Sequence, residues 1–300
     1  MSASSLPTWR SLLYVPANVQ RFVDAAHTSG SDAIQLDLED AVAPGEKVAA
    51  RRGVAAAAAK VARGGAHVIV RINRPLALAL EDIDAGVGPN VGSLALPKVM
   101  GADHVRLLSE AVAAAEARNG VAVGTTRFIV MIETAQAILH VREIANADPR
   151  IVALTLGTED FALDLAVDPA AEVLATHHAT LVAAAVAAHV LPLGLVGSIA
   201  QYRDLEAFGA LARRSREFGY RGASCIHPTQ VAVLNAAFTP ALEDVERARK
   251  IVAAYDAAHA RGLGAISLDG RMIDVPIAER ARALISSYEA TSKHTSPGKG

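Results

Sequence analysis

Charged side chains follow several short apolar runs of this sequence, at the points where those runs end. The acidic members of this set are Asp37, Glu39, Asp40, Glu133, Glu159 and Asp160. Arg71, Lys98 and His227 end three further runs. Carboxylates gathered in one basin repel each other unless a cation offsets their charge. Mg²⁺ needs few carboxylates beside water and substrate oxygens, so we expect a magnesium site held by Glu133 and Asp160.

Each of these residues also has a purely structural interpretation. Asp160 and Glu39 follow strands and are suited to cap the next helix. Arg71 can bridge to Asp37 or Glu39 on a neighbouring strand, which is compatible with a functional role as well. Lys98 fits either charge neutralisation or packing, and the His227-Pro228 pair fits a structural turn. Taken together, the charged strand ends favour chemistry over capping.

Eight runs of β-branched and aliphatic residues are the elements that must position these side chains. They are 12–15, 33–38, 67–72, 93–96, 128–132, 151–156, 191–196 and 223–226. Most of these runs are separated by alanine-rich segments with charges at helical spacing. Such segments include 45–63, 102–119, 134–147 and 201–218. The spacing of about 30 residues per unit predicts an α/β fold, a (βα)₈ TIM barrel, with a doubly wound open sheet as the alternative. Active sites of such barrels lie at the C-terminal ends of the strands.

The region after the barrel is expected to form a C-terminal helical lid extension. A charged helix is predicted over 242–261, then a glycine-marked segment GLGAISLDGRMIDVP, then a last helix over 277–288. The glycines would let the segment act as a lid. The predicted boundaries are a disordered N-terminus at 1–9, a barrel at 10–238, the helices and lid at 239–290, and a disordered tail at 291–300.

Composition excludes several classes of protein. The 300 residues carry 29 basic and 31 acidic side chains, without the basic face that nucleic acid binding requires. The stretch 173–202 has no Asp, Glu, Lys or Arg, but its many alanines and its histidines predict a buried helix followed by a strand, not a membrane span. The first residues lack a secretory signal pattern, and the lone Cys225 fits a reducing compartment, so a cytoplasmic protein is expected.

The turn after the first predicted strand, Val15-Pro16-Ala17-Asn18, lacks the glycine-rich pattern of dinucleotide-binding folds. A set of motifs points elsewhere: RSLLYVPAN, DAIQLDLEDAVAP, VRIN, LPK, IETAQAI, LGTEDFALDL, CIHPTQ and GLGAISLDGRMIDVP. With these motifs, from about Arg10 to Leu284, the sequence resembles the citrate lyase β-subunit-like family, which includes malyl-CoA and citramalyl-CoA lyases. The resemblance implies a TIM barrel, Mg²⁺ dependence and a homotrimer.

The resemblance also implies residue roles. Glu133 of the I-E-T motif and Asp160 of the E-D-F motif would be the metal ligands, and Arg71 of V-R-I-N would grip the oxo acid. Asp274 of M-I-D-x-P would be a catalytic acid or base delivered by the lid of an adjacent subunit. Asp37, Glu39 and Glu133 are expected beside the substrate as well.

Coenzyme A is expected near Arg10, Pro16 and Asn18. Ala17, Ala223 and Gln201 depart from the family pattern, Ala17 and Ala223 at positions expected at the mouth of the site. The departures leave the thioester carrier open.

Four functions follow as hypotheses from these residues. The first is a Mg²⁺-dependent carbon-carbon lyase that splits, or forms, a 3-hydroxyacyl-CoA such as malyl-CoA or citramalyl-CoA, with acetyl-CoA and a 2-oxo acid as the fragments. The second is a citrate lyase β subunit acting on a citryl thioester of an acyl carrier protein, against which the complete M-I-D-V-P motif speaks. The others are a class II oxo-acid aldolase and a non-catalytic barrel that binds oxo acids.

Overall fold

The computed structural model describes residues 6–200 and 202–295, and its chain divides after Phe238 into two compact units. We call them the barrel unit and the C-terminal unit. Gln201 lies outside the described residues, as do 1–5 and 296–300. Within the ends predicted as disordered, 1–9 and 291–300, Trp9 is 6% exposed and helix extends through Thr295.

The described part of the barrel unit contains eight parallel strands, as the sequence predicts. They are β1 (Ser11–Pro16), β2 (Ala33–Asp37), β3 (His67–Arg71), β4 (Ser93–Leu96), β5 (Arg127–Ile132), β6 (Ile151–Leu156), β7 (Leu191–Leu193) and β8 (Ala223–Cys225). Each strand lies beside its neighbour in the chain, and β8 pairs with β1. Gly194 N–H donates to Gly222 O and Arg221 N–H to Pro192 O, both at 2.9 Å, so β7 and β8 also meet. The sheet is therefore a barrel, and the open-sheet alternative is wrong.

Helices cover the outside of this barrel. They are α1 (Gln20–Ala26), α2 (Lys47–Val61), α3 (Leu76–Gly86), α4 (Ala102–Arg118), α5 (Ala135–Leu139), α6 (Val141–Ala145), α7 (Thr158–Asp164), α8 (Leu174–Ala187), α9 (Leu205–Glu217) and α10 (Pro228–Phe238). The helix predicted over 134–147 is interrupted at His140, whose backbone is not helical. The charge-free stretch forms α8 and β7, as predicted. No helix in the described parts of the chain is long and apolar enough to cross a membrane.

Alternation along the strands decides which side chains face the barrel interior. Ile69 belongs to the inner apolar cluster, whereas Val68 and Val70 belong to the larger cluster between strands and helices. Because side chains alternate with period two, Arg71 faces inward like Ile69, and Glu133 faces inward like Met131. The inner cluster is apolar, and polar residues such as Arg71 and Glu133 follow it at the C-terminal end.

A buried ion pair joins α4 to the loop before β6. Arg150 donates to both carboxylate oxygens of Glu116 at 2.9 and 2.7 Å. Burial by itself would raise the pKa of Glu116, but hydrogen bonds from Arg150 and from the N–H groups of Gly124 and Thr126 lower it to about 2. The stabilisation from Glu116 is therefore complete above about pH 5 and is lost as the pH falls toward 2.

We expect the free energy of unfolding of the wild type to fall by about 2 kcal/mol more between pH 7 and pH 3 than that of Glu116→Gln. Denaturant titrations at the two pH values measure this difference. Glutamine cannot titrate, so the variant is less stable at neutral pH but has the shallower pH dependence. Equal pH dependence in the two proteins would contradict the role of this pair.

The described part of the C-terminal unit consists of two helices and a hairpin. Helix α11 spans Leu242–His259, strands β9 (Ile266–Leu268) and β10 (Arg271–Ile273) pair antiparallel, and α12 spans Val275–Thr295. Asp269 and Gly270 form the turn with φ angles of 51° and 74°, as an Asp-Gly hairpin requires. The glycine-marked segment thus contains a β-hairpin, and α12 is longer than predicted.

Candidate active site

A cavity of about 410 Å³ opens at the C-terminal ends of the barrel strands. Its lining includes the inward-facing ends of several strands and the start of α7. Among the predicted residues it contains Asp37, Asp40, Arg71, Glu133, Glu159 and Asp160. The structure therefore brings together residues that are far apart in the sequence, at the end of the barrel where the sequence predicts them.

Arg71 is held in place by its neighbour on the next strand. Asp37 pairs with Arg71 in the parallel register of β2 and β3. The Arg71 Nε and Nη2 atoms donate to the two oxygens of Asp37 at 2.8 and 2.6 Å. The guanidinium carbon lies 5.0 Å from the ring centroid of Tyr14. This bidentate pair fixes the plane of the guanidinium and leaves it facing the cavity.

Asp37 and Glu39 are predicted to lie beside the substrate, and both are held by protein contacts in the structure. Besides Arg71, Asp37 accepts hydrogen bonds from the N–H groups of Glu39 and Ala41 at 2.9 and 3.1 Å. Glu39 lies 2.6 Å from Arg71 Nη1 and 2.8 Å from Lys98 Nζ. The oxygens of both carboxylates thus contact protein donors and cations, so both residues help to fix the position of Arg71.

Lys98 follows β4 in a left-handed backbone conformation, with φ of 48°. Its N–H donates to Glu133 Oε2 at 2.5 Å. Its Nζ atom lies 2.8 Å from Glu39, 3.4 Å from Asp40 and 3.5 Å from Asp160. Lys98 therefore contacts four of the site carboxylates, one through its backbone and three through its ammonium group.

Glu133 directly follows β5 and is 2% exposed. Burial, with a further contribution from the negative charge of Glu39, raises the pKa of Glu133 to about 8. Its carboxylate has room because residue 157 is glycine: a Cβ there would lie 2.5 Å from Glu133 Cγ and Oε1. The close approach of Gly157 keeps Glu133 beside the start of α7, where Asp160 lies.

Gly157→Ala is expected to displace Glu133 and weaken Mg²⁺ binding by about tenfold or more while the barrel stays folded. The backbone of Gly157 has φ of −77°, which alanine adopts without strain, so the added Cβ is the only change. Isothermal titration measures the affinity, and circular dichroism monitors the fold. Gly88→Ala is the matched control because its new Cβ meets nothing within 4 Å. Unchanged Mg²⁺ affinity in Gly157→Ala would remove Glu133 from the metal site.

Asp160 lies in the first turn of α7 with one third of its side chain exposed. Glu133 and Asp160 both line the main cavity and a second cavity of about 450 Å³ beside it. Within the described residues no group of three or more His, Cys, Asp or Glu side chains is arranged to hold a metal ion. Two carboxylates must therefore be completed by water or substrate oxygens if an ion binds between them.

Three residues predicted to bind coenzyme A do not line the main cavity. Arg10, predicted to bind coenzyme A, precedes β1 at the end of the barrel opposite the cavity and donates to Asp32 at 2.7 to 2.8 Å. Pro16 and Asn18 lie at the correct end of β1, where Asn18 donates to Glu46 at 2.9 Å. They are not among the residues lining the main cavity.

Two further residues singled out by the sequence lie away from the cavity. Ala223 begins β8, pairs with Ser11 and is fully buried at the N-terminal end of the barrel, so it does not reach the mouth. Cys225 is buried as well, and burial raises the pKa of its thiol to about 12. A thiol in this state is a packing residue and not a nucleophile.

Asp274 belongs to the C-terminal unit and lies at the start of α12. Its Oδ1 atom accepts a hydrogen bond from the N–H of Ile277 at 3.3 Å. The carboxylate thus caps α12, and Asp274 is half-buried.

Sequence reasoning missed the cavity residues that carry no charge. Tyr14, Met131, Thr155 and Ser224 all line the cavity. Alternation along a strand could have indicated such residues, because every second residue faces the barrel interior. Met131, for example, lies two residues before Glu133 on the same face. His227 was interpreted as part of a turn, and its Nδ1 atom lies 2.8 Å from the hydroxyl of Thr229.

A closed (βα)₈ barrel with clustered carboxylates and a held arginine at its C-terminal end defines a class of barrel enzymes that act on small acids. Residues 10–228 match the HpcH/HpaI aldolase/citrate lyase family, and the chain belongs to that family. The resemblance inferred from the motifs is thus confirmed.

Relatives are similar over nearly the whole chain. The citrate lyase subunit beta of Leuconostoc mesenteroides subsp. cremoris is 32% identical over 292 residues, which cover 96% of each chain. The L-malyl-CoA/beta-methylmalyl-CoA lyase of Cereibacter sphaeroides is 33% identical over 310 residues, 94% of this chain and 95% of the relative. The crystal structure of Mycobacterium tuberculosis CitE in complex with magnesium, acetoacetate and coenzyme A has a TM-score of 0.73 and 27% identity. It covers 93% of this chain and 97% of that one.

Proposed function

We propose that this protein is a Mg²⁺-dependent carbon-carbon lyase that cleaves, or forms, a 3-hydroxyacyl-CoA such as malyl-CoA or citramalyl-CoA. The fragments are acetyl-CoA and a 2-oxo acid. The observation that carries the proposal is the placement of Arg71, Glu133 and Asp160 around one cavity at the C-terminal end of the barrel. The malyl-CoA lyase relative and the CitE complex with magnesium and coenzyme A support it.

The donor set at this site fits Mg²⁺. Five carboxyl groups, those of Asp37, Glu39, Asp40, Glu133 and Asp160, lie around two cationic side chains, Arg71 and Lys98. The excess of negative charge contributes to the raised pKa of Glu133, after burial. A hard divalent cation with oxygen ligands would offset that excess. Glu133 and Asp160 would hold it, and when bound it supplies Lewis-acid polarisation of the substrate oxygens.

Arg71 and Asp274 have different roles in the proposed reaction. Arg71 orients the oxo-acid end of the substrate and stabilises negative charge that develops on it, because a guanidinium stays charged and offers fixed donors. Cleavage breaks the bond between C2 and C3 of the 3-hydroxyacyl thioester as the C3 hydroxyl gives its proton to water and its oxygen becomes the carbonyl oxygen of the 2-oxo acid. The electron pair passes to the thioester enolate, and Asp274 returns a proton to its carbon to give the acetyl thioester.

The quaternary part of the proposal is a homotrimer in which Asp274 comes from an adjacent subunit. The protein would act in the cytoplasm, which agrees with a single free, buried cysteine. The partners are a small 2-oxo acid and an acyl-CoA. Sedimentation at several protein concentrations measures the subunit number.

The test of the proposed function is turnover of a panel of malyl-, methylmalyl- and citramalyl-CoA with the wild-type protein. Acetyl- or propionyl-CoA release is followed in Mg²⁺ and again after chelation. We expect cleavage of at least one thioester with Mg²⁺ and none with the chelator. A folded protein that cleaves no member of the panel with Mg²⁺ would contradict the proposal.

Asp274→Asn is expected to lower kcat for thioester cleavage at least about 100-fold with little change in Mg²⁺ affinity, because the amide cannot transfer the proton. Steady-state kinetics and metal titration measure the two quantities. Asparagine can still cap α12, so the C-terminal unit stays folded. Most of the activity surviving in Asp274→Asn would instead favour a class II oxo-acid aldolase that acts without a thioester.

A second candidate is a citrate lyase β subunit that acts on a citryl thioester of an acyl carrier protein. The specific observation in its favour is the 32% identity to the citrate lyase subunit beta of Leuconostoc mesenteroides subsp. cremoris. Cleavage of a citryl-carrier-protein thioester in preference to the CoA panel would establish it. Binding of Mg²⁺ and pyruvate or glyoxylate without any turnover would indicate the non-catalytic oxo-acid binder.

A further inference from the structure

Lys98 takes part in no step of the proposed reaction, yet it has an unusual position in the site. A lysine with φ of 48° adopts a backbone conformation that is disfavoured for residues with a Cβ. The short hydrogen bond from its N–H to Glu133 Oε2, at 2.5 Å, accompanies that conformation. Strained backbone of this kind persists only where surrounding contacts determine it, and it concentrates at functional sites.

The ammonium group of Lys98 lies among carboxylates from two different parts of the barrel. Glu39 and Asp40 follow β2, at 2.8 and 3.4 Å from Nζ, and Asp160 belongs to α7, at 3.5 Å. The shortest of these contacts is to Glu39, which is not expected to bind the metal ion. The longest is to Asp160, which is an expected metal ligand. The ammonium is therefore anchored by Glu39 and only loosely paired with Asp160.

The two cations of the site flank the expected metal ligands from different sides. Glu133 and Asp160 line both cavities, whereas Arg71 lines the main cavity and Lys98 lines the second one. About 30% of the Lys98 side chain is exposed. Space in the second cavity allows the ammonium to leave Asp160 while it keeps its contact with Glu39.

We propose that Lys98 balances the charge of the carboxylate cluster before a divalent ion binds and that it releases Asp160 to the ion. The inference rests on the proposed Mg²⁺ site, and it assigns Lys98 as a positioning residue that competes with the metal. Removing the ammonium group removes both a competitor for Asp160 and a positive charge close to the ion. Both effects strengthen metal binding. A lysine that merely supported the fold would have the opposite effect, because its loss would loosen the ligands.

Isothermal titration with Mg²⁺ alone tests this assignment in the wild type, Lys98→Met and Lys98→Arg. We expect Lys98→Met to bind Mg²⁺ about tenfold more tightly, and Lys98→Arg to stay close to the wild type because the positive charge remains. In thermal unfolding without metal, Lys98→Met should melt below the wild type, and saturating Mg²⁺ should raise its Tm by more than it raises that of the wild type.

Equal or weaker Mg²⁺ binding by folded Lys98→Met would overturn the assignment while leaving the proposed function intact. Absence of Mg²⁺ binding in the wild type would overturn the proposed function and the role of Lys98 with it. If Lys98→Met does not fold without metal, its recovery on addition of Mg²⁺ supports the assignment. If Lys98→Met stays unfolded with Mg²⁺, the neutral variant Lys98→Gln, which can still hydrogen-bond Glu39, replaces it in the titration. Tighter Mg²⁺ binding by Lys98→Gln than by the wild type would then support the assignment, and equal or weaker binding would overturn it.

Discussion

Replacing either expected metal ligand, as Glu133→Gln or Asp160→Asn, is expected to weaken Mg²⁺ binding about 100-fold or more and to lower kcat about 1000-fold. Each change removes one of only two protein carboxylates available to the ion, and a neutral amide is a far weaker ligand for a hard cation. Glu133 is 2% exposed, so its loss also leaves the Lys98 N–H facing a neutral oxygen or an amide group. Isothermal titration and steady-state assays measure the two effects.

The matched control for Asp160→Asn is Asp84→Asn. Asp84 pairs with Arg118 at 2.6 Å on the surface, at the C-terminal ends of α3 and α4. Helices of a (βα)₈ barrel run against the strands, so this pair lies at the end of the barrel opposite the site. We expect Asp84→Asn to bind Mg²⁺ like the wild type. Unchanged Mg²⁺ affinity in both Glu133→Gln and Asp160→Asn would remove the metal site from the account.

Arg71→Lys is expected to lower kcat about 1000-fold with a much smaller change in Mg²⁺ affinity. An ammonium group cannot donate in the bidentate geometry that Arg71 makes with Asp37 at 2.8 and 2.6 Å while also facing the cavity. The loss of a fixed donor at the developing charge costs about 100- to 1000-fold in comparable sites, and misplacement of Asp37 adds to it. Steady-state kinetics with saturating Mg²⁺ measure the loss.

Arg118→Lys makes the same chemical change at an exposed ion pair with Asp84 and is expected to leave kcat unaltered. Thermal unfolding of both variants separates a loss of chemistry from a loss of stability. A folded Arg71→Lys variant that retains more than about one tenth of the wild-type kcat would contradict the role given to Arg71.

The strands and the end of the barrel that carries the site could be predicted from the sequence. Each of the eight β-rich runs became a strand, because short apolar runs separated by helical segments are typical of parallel strands buried on both faces. The charged residues after those runs had to meet, since parallel strands end at the same side. Arg71, Glu133 and Asp160 were found in this way.

The sequence was less reliable in showing which end of a strand a motif residue occupies. Arg10 and Ala223 belong to or adjoin recognisable motifs, but Arg10 precedes β1 and Ala223 begins β8, so both lie at the end of the barrel away from the cavity. A motif does not say which of its residues face the site, whereas the direction of the strand does. The uncharged cavity residue Met131 could have been found by extending the inward alternation back from Glu133 along the same strand.

Other features of the site depend on three-dimensional contacts that sequence patterns do not encode. The left-handed conformation of Lys98 accompanies contacts with Glu39 and Glu133, which are distant in the chain. The need for glycine at 157 arises from Glu133 on the neighbouring strand. The hairpin in the C-terminal unit is different, because Asp269-Gly270 between apolar residues is a recognised hairpin signal that could have been used.

The most direct test of the account is a crystal structure of the protein with Mn²⁺ in place of Mg²⁺ and with pyruvate, read by anomalous scattering. Mn²⁺ accepts the same octahedral oxygen ligands. We expect one ion between Glu133 and Asp160 at about 2.0 to 2.2 Å from an oxygen of each, with the oxo acid within hydrogen-bond distance of Arg71. An ion at another position, or pyruvate bound away from Arg71, would contradict the assignment of this cavity as the lyase site.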